Sequence, residues 1–288
     1  MASAQLSDAP LTATLVGHVR GLWRYPVKSM LGEQRERLDV DGRGVVGDRG
    51  YALWDADTCR VASAKNPSRW AALLTFRARY LAEPQPGETL PQVAVEGPLD
   101  GPAAPTTSLT SNDPALVERL SQRLGRAVSL LDQPPAGASL EQYWPPVEGR
   151  EFQNVTNELR LPEGTFFDAC PIHAISTATL AELRRLEPHH DFAVERFRPN
   201  LLIEPAGANS GFVEEAWVGG VLTIGDSLRL QVVGGCPRCV ITTLAQGDLP
   251  ENLEILRATA RHNRVTAGIR LGVLSPGPVA VGDPVHWG

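Results

Sequence analysis

Proline and glycine occur along the whole chain and limit how long any regular element can be. The 288 residues include 24 prolines and 27 glycines. Proline interrupts helices and sheet ladders and glycine favours turns, so many short elements are expected rather than long helices. Residues 74–80 alternate between apolar and polar side chains, which is typical of a half-buried strand. The sequence therefore predicts a β-rich α+β fold.

A proline-rich connection separates two segments of strands and helices. In the first segment, Asp113 and Gly125 are suited to begin and end a helix, with Pro114 at its first position. In the second, Thr179 and Glu182 predict a capping box. Residues 133–138 and 144–146 indicate a connection without regular structure. We therefore predict one domain at residues 14–133 and another at residues 150–288.

The charge balance and the apolar pattern argue against several kinds of partner. Lysine and arginine together number 27 against 33 acidic residues, and the formal net charge is -6, so no basic surface for nucleic acid is expected. No segment is apolar for long enough to span a bilayer, and residues 1–14 lack the features of a signal peptide. We expect a cytoplasmic protein that binds neither nucleic acid nor membrane.

The motif Cys236-Pro237-Arg238-Cys239 has three competing interpretations. A zinc site would need distant ligands, because the chain has no second Cys-x-x-Cys and no spaced histidine pair. A thioredoxin-like pair should open a helix in a βαβ unit, which residues 240–244 do not suggest. A single thiolate would suit a soft transition metal, with Arg238 helping to neutralise an anionic cofactor. The motif alone leaves all three open.

Polar and cationic residues recur at three further turns. They form the pairs Lys28-Ser29 and Asp48-Arg49 and the run at residues 196–200, which contains Arg198 and Asn200. Solvated turn residues are the simplest interpretation of each, although arginine can also hold phosphate through paired hydrogen bonds. Neither a Gly-x-Ser-x-Gly nor a Gly-x-Gly-x-x-Gly motif is present, so the sequence supports neither a serine nucleophile nor dinucleotide binding.

Taken in order, these motifs resemble the MOSC family, named for the C-terminal domain of molybdenum cofactor sulfurase, and within it the amidoxime-reducing type. The resemblance spans about residues 16–287 and rests on residues 25–29, 47–49, 196–200, 217–226, 236–243 and 281–285. It implies an N-terminal MOSC β-barrel domain followed by a MOSC β-barrel domain with peripheral helices.

The resemblance also implies a bound molybdopterin molybdenum cofactor between the two halves. Cys239 would be the metal ligand and the catalytic residue. Eight further residues would contact the cofactor: Lys28, Ser29, Arg49, Asp168, Cys170, Arg198, Asn200 and Arg238. Four of these carry the positive charges that a pterin phosphate and an electron-poor metal require.

The activity implied is reduction of N-hydroxylated or N-oxide small molecules. The four cysteines do not form an iron–sulfur pattern, so electrons would come from a separate flavoprotein or ferredoxin. Sulfur transfer through a persulfide on Cys236 or Cys239 and non-catalytic carriage of the cofactor remain alternatives. The chain departs from the amidoxime-reducing type at residues 244–250 and around Leu271, and both departures are expected near the substrate.

Overall fold

The computed structural model describes residues 13–147, 151, 153–207 and 210–288. Most of the segment considered for a signal peptide, residues 1–12, and the predicted domain limit at residue 150 lie outside these residues. No helix in the described part of the chain is both long and apolar enough to cross a membrane.

The regular elements are short, as the proline and glycine content predicts. The strands, numbered β1 to β19 in chain order, are Thr14–Arg24, Glu33–Arg35, Arg37–Asp41, Gly44–Val45, Ala52–Asp55, Arg60–Val61, Arg77–Tyr80, Val93–Gly97, Thr107–Thr110, Val128–Leu131, Ser139–Trp144, Val155–Arg160, Ile172–Ser176, Leu201–Pro205, Val221–Ile224, Leu228–Pro237, Thr266–Ser275, Gly277–Ala280 and Pro284–Trp287. The helices, α1 to α5, are Pro67–Trp70, Pro114–Leu124, Thr177–Leu186, Val194–Phe197 and Glu254–Asn263. Single 3₁₀ turns lie at Ala71–Thr75, Val213–Trp217 and Val240–Thr243.

Seven strands close into a barrel. They pair in the order β1, β14, β13, β17, β16, β15 and β19, and β19 pairs again with β1. Closure gives every barrel strand a partner on both sides, and β2 extends the sheet from β1. Fully buried side chains such as Leu22, Ile203, Leu230 and Leu271 form its core. The β-rich α+β fold class with peripheral helices is confirmed.

A second core lies in the first half of the chain. The sheet β7–β8–β9, the sheet β10–β5–β6 and helix α2 surround buried residues that include Leu53, Phe76 and Leu116. The prediction for α2 is confirmed: Asp113 accepts a hydrogen bond from the backbone N–H of Ala115, and Gly125 ends the helix at φ 65°.

Strands from the first half of the sequence contribute to the barrel core. β1 comes from the first half of the sequence but lies in the barrel between β14 and β19, and β3 pairs with β18. The cores therefore do not divide the chain at a single point, and the domain limits 14–133 and 150–288 stay a prediction.

One local prediction was wrong, and a second was wrong at one residue. Helix α3 begins after Ser176, whose hydroxyl oxygen accepts the N–H of Thr179 at 3.0 Å, because the serine stands where β13 ends. The capping box at Thr179 and Glu182 is therefore absent. Residues 133–138, 145 and 146 lie outside helices and strands as predicted, whereas Trp144 is the last residue of β11, which pairs with β12 as a hairpin.

Candidate functional site

A cavity of about 360 Å³ lies where the two halves meet. This volume falls in the range of roughly 300–1,000 Å³ typical of small-molecule and cofactor sites. All nine predicted site residues line it: Lys28, Ser29, Arg49, Asp168, Cys170, Arg198, Asn200, Arg238 and Cys239. A larger neighbouring cavity of about 580 Å³ shares Arg49 but is lined by no cysteine.

Turns at the ends of strands position these side chains. Ser29, Arg49 and Arg198 have φ of 63°, 48° and 51°, a region that residues other than glycine rarely adopt. Such backbone conformations cluster at ligand sites, because surrounding structure must hold them in place. The turns thus carry strain at three predicted cofactor contacts.

The end of β16 is bent toward the cavity. Its pairing with β17 is irregular on both sides of Gly234 and Gly235. A Cβ on Gly235 would lie 2.7 Å from the side chain of Thr266, so only glycine permits this approach. An irregular strand end changes the direction of the residues that follow it. Cys239 lies in the cavity wall, directly before a 3₁₀ turn.

Two buried lysines share one carboxylate. Lys28 Nζ lies 2.5 Å from one carboxylate oxygen of Asp168, and Lys65 Nζ lies 3.1 Å from the other. Although burial disfavours the charge of Asp168, attraction by Lys28 and Lys65 holds its pKa well below the usual range. Burial lowers the pKa of Lys28, whereas for Lys65 the attraction of Asp168 and of nearby thiols outweighs burial and raises it.

Arg49 and Arg198 both lie against the ring of Tyr25. Their guanidinium carbons are 4.5 and 4.3 Å from its centroid. Arg49 pairs with Asp48, and Nη2 of Arg198 donates to the carbonyl of Met30 at 2.8 Å. The buried Nη1 of Arg198 has no hydrogen-bond partner among the described residues. Burial, with repulsion by Arg49, lowers the pKa of Arg198 to about 10.

Arg238 is fixed by three neighbours. Its Nη2 donates to the carbonyl of Phe197 at 2.6 Å, and its Nη1 donates to Nε2 of His173 at 3.2 Å and to the sulfur of Cys236 at 3.0 Å. Because arginine cannot accept a hydrogen bond, His173 is neutral with its proton on Nδ1. Burial, with repulsion by Arg238, holds the pKa of His173 well below 6.5. The Nε of Arg238 is buried without a partner in the described structure.

Three of the four cysteines line the cavity. Cys170, Cys236 and Cys239 do so, whereas Cys59 is exposed elsewhere. Burial raises the pKa of the Cys170 thiol to about 12. In the described part of the chain, no group of three or more histidine, cysteine or acidic side chains is arranged to hold a metal ion. The zinc interpretation of the Cys236–Cys239 motif therefore lacks additional ligands there.

The side chains of Asn200 and Ser29 form hydrogen bonds with the backbone around the cavity. Asn200 accepts the N–H of His173 at 3.1 Å and donates to the carbonyl of Trp23 at 3.3 Å, which joins neighbouring strands. The hydroxyl oxygen of Ser29 accepts the N–H of Ala64 at 3.0 Å. Both residues line the cavity, but their side chains also stabilise its walls.

Several wall residues were missed by sequence reasoning. They are Lys65, Gln142, Trp144, Leu159, His173 and Arg270. The position of Lys65 as the only lysine besides Lys28 was an available signal, whereas the hairpin residues belong to strands that were not predicted. Leu271 is buried in the barrel core and residues 244–250 do not line the cavity, whereas Arg270, next to Leu271, does. That both departures lie near the substrate stays a prediction.

Comparisons with known proteins identify two matched regions. The family model described as MOSC N-terminal beta barrel domain matches residues 16–94, and that described as MOSC domain matches residues 162–286. Among solved structures, the YUAD protein from Bacillus subtilis is 13% identical with a TM-score of 0.45, and the match covers 95% of this chain and 96% of that chain.

YiiM from Geobacillus stearothermophilus is 15% identical with a TM-score of 0.32, and the match covers 41% of this chain and 54% of that chain. No curated protein matches the sequence. The two domain matches together span the strands that build the barrel and the turns that line the cavity. The chain therefore belongs to the MOSC family, whose domains are associated with binding of the molybdenum cofactor.

Proposed function

We propose that the chain binds a molybdenum–molybdopterin cofactor in the cavity through Cys239 and reduces N-hydroxylated or N-oxide small molecules. The observation that carries this proposal is the convergence of Cys239 and four predicted cations on one cavity of cofactor size. The MOSC domain matches support the cofactor, and the resemblance to the amidoxime-reducing type motivates the reaction.

The donor groups of the cavity fit an anionic cofactor. The buried Nη1 of Arg198 and Nε of Arg238 have no partner among the described residues, and a buried donor without a partner is costly. Guanidinium groups match phosphate oxygens, and a thiolate suits a soft metal. Asp168, the carboxylate on the wall, is neutralised by two lysines.

The residues of the chain would bind and orient the reactants. Lys28, Arg49, Arg198 and Arg238 would hold the anionic cofactor, and Cys239 would bind its metal. Once bound, the cofactor supplies two-electron redox chemistry, for which the protein provides position and electrostatics. The apolar side chains of Trp144 and Leu159 would exclude water from the organic part of the substrate.

Electrons would come from a separate flavoprotein or ferredoxin. The described residues contain no group of three or more cysteine, histidine or acidic side chains that could hold a metal centre of their own. Each reduction would consume two electrons and two protons and release water. The identity of this donor protein stays part of the proposal.

Sulfur transfer is the second candidate, because three thiols line the same cavity. A persulfide on Cys236 or Cys239 would then carry sulfur to an acceptor. Cyanolysable sulfur on a protein that lacks molybdenum would favour this function. A protein that holds molybdenum but shows no turnover with any reductant would instead be a cofactor carrier.

Replacement of the proposed ligand tests the first candidate. Protein made in a host that synthesises the cofactor is expected to contain molybdenum and to reduce an aromatic amidoxime. Cys239→Ser is expected to lose that activity, while Cys59→Ser, which changes an exposed cysteine outside the cavity, should behave as the wild type. Full molybdenum content and full N-reduction in Cys239→Ser would refute the ligand assignment.

A further inference from the structure

Both lysines of the chain lie at the cavity. Lysine and arginine together number 27, yet only Lys28 and Lys65 are lysines. Their ammonium groups contact the two oxygens of the same carboxylate, that of Asp168. The single carboxylate of Asp168 balances only one of the two ammonium charges. Lys28, Lys65 and Asp168 together therefore carry a net positive charge. The resemblance assigns Lys28 to the cofactor and assigns no role to Lys65.

Lys65 is held at a fixed place on the wall. Its Nζ donates to the side-chain oxygen of Gln142 at 3.1 Å, and its backbone carbonyl accepts the N–H of Tyr143 at 2.8 Å. An ammonium has three N–H donors, and Asp168 and Gln142 take two of them in the described structure. The third is available to a ligand in the cavity.

The surroundings of Lys65 combine a charge with apolar surface. Lys65 lines the same cavity as the thiols of Cys236 and Cys239. Trp144 and Leu159, on the two strands of the hairpin, also line the cavity. An organic molecule lying on this apolar wall with its reactive end toward Cys239 would pass the ammonium.

We propose that Lys65 selects substrates that carry a carboxylate or another anionic group beside the N–O function. The inference rests on the proposed function and names a substrate class for the same cavity. A compact ammonium, with its position fixed by Asp168 and Gln142, provides a point charge for such a group. Arg270, a second cation on the wall outside the predicted cofactor contacts, adds to the positive charge.

Two matched pairs of compounds test this selectivity on molybdenum-loaded protein. The substrates are benzamidoxime and 4-carboxybenzamidoxime, and the non-reducible ligands are benzamidine and 4-carboxybenzamidine. The ratio of kcat/KM for the carboxylated over the neutral substrate is expected to fall about tenfold in Lys65→Met, which corresponds to about 1.4 kcal/mol. Lys65→Arg should keep most of the preference, and calorimetric Kd values for the two amidines should follow the same order.

Lys28→Met is the matched control, because it removes the other ammonium from the same carboxylate. It is expected to lower the molybdenum content, whereas Lys65→Met should change the preference for charge. If Lys65→Met is insoluble, Lys65→Gln takes its place in the same comparison.

Two results would overturn the inference. One is an unchanged charge preference in the soluble Lys65 variant; the other is a loss of molybdenum in that variant with the preference retained, which would assign Lys65 to the cofactor. If the wild type reduces neither amidoxime but binds the carboxylated amidine through Lys65, the anion selectivity stands and the proposed reduction fails.

Discussion

The cysteines differ most in what surrounds their sulfur atoms. The thiol of Cys170 donates to the carbonyl of Ile172 at 3.3 Å, and burial raises its pKa to about 12. Cys59 is exposed on a turn far from this environment. Because the thiolate is the reactive form, Cys170 is expected to be less reactive than the exposed Cys59.

Alkylation of the native protein should therefore discriminate between them. With iodoacetamide at pH 8, Cys59 is expected to react at least about tenfold faster than Cys170, because almost no Cys170 thiolate exists four pH units below its pKa. Peptide mass spectrometry over time measures both rates, and unfolded protein provides the control in which the difference disappears. Equal rates in the native state would show that the Cys170 environment is described wrongly.

His173 should make stability depend on pH. Burial and the neighbouring Arg238 hold its pKa well below 6.5 in the folded protein, so below pH 6.5 the unfolded chain binds a proton that the folded chain does not. The stability from the neutral imidazole is complete above this pH and is lost as the pH falls, by up to about 1.4 kcal/mol per pH unit.

Denaturant unfolding between pH 7.5 and 5.5 measures this loss. His173→Gln keeps an acceptor for Arg238 but does not titrate, so its free energy of unfolding should fall less over this interval than that of the wild type. The same pH dependence in both proteins would rule out His173 as the source.

Individual site residues could be predicted where a motif marks them. The resemblance implied roles for Cys239, Arg198 and Arg49 from the order of their motifs, and all three line the cavity. Gln142 could not be found in this way, because it lies in a hairpin whose pairing is determined by a partner strand rather than by local sequence. The neutral state of His173 depends on burial in the folded barrel, which sequence spacing does not reveal.

At the level of elements, a buried arginine fixes the segment that follows Cys239. Arg196 is 1% exposed, and its guanidinium donates to the carbonyls of Asp191, Thr242, Leu244 and Pro250. Arg196 and Arg198 both lie at the end of helix α4. Arg196 contacts the segment that follows Cys239, whereas Arg198 lines the cavity. The Arg-Phe-Arg pattern alone predicted only charges at this turn, and the resemblance assigned Arg198 rather than Arg196 to the cofactor.

Arg196→Met should destabilise the protein by about 2–4 kcal/mol, because it leaves several buried carbonyls without their charged donor. Arg257→Met on α5 is the matched control: Arg257 is exposed and paired with Glu254, and its loss should cost at most about 0.5 kcal/mol. Unfolding in urea, followed by circular dichroism, gives both free energies. Equal effects of the two substitutions would contradict the structural role of Arg196.

The secondary structure could be predicted best where caps and turns are local. Helix α2 begins at Asp113 and ends at Gly125 as expected, since both signals act within one turn. The start of α3 was misplaced because Ser176 belongs to β13 and caps the helix at the same time. That Ser176 both ends a strand and caps a helix depends on where β13 lies in the barrel.

At the scale of the whole molecule, the cavity depends on contacts between the two halves. β1 crosses into the barrel and leads directly to the turn that carries Lys28, while Cys239 follows the bent end of β16. The order of motifs predicted that the halves contribute to one site. The contribution of first-half strands to the barrel could not be predicted, since it depends on long-range pairing.

The central claim is that Cys239 provides the protein's sulfur ligand to molybdenum. X-ray absorption at the molybdenum edge of loaded protein measures the number of sulfur neighbours directly. Three sulfur neighbours are expected in the wild type, two from the cofactor's dithiolene and one from Cys239, and two are expected in Cys239→Ser. Three sulfur neighbours in both proteins, or two in both, would contradict it.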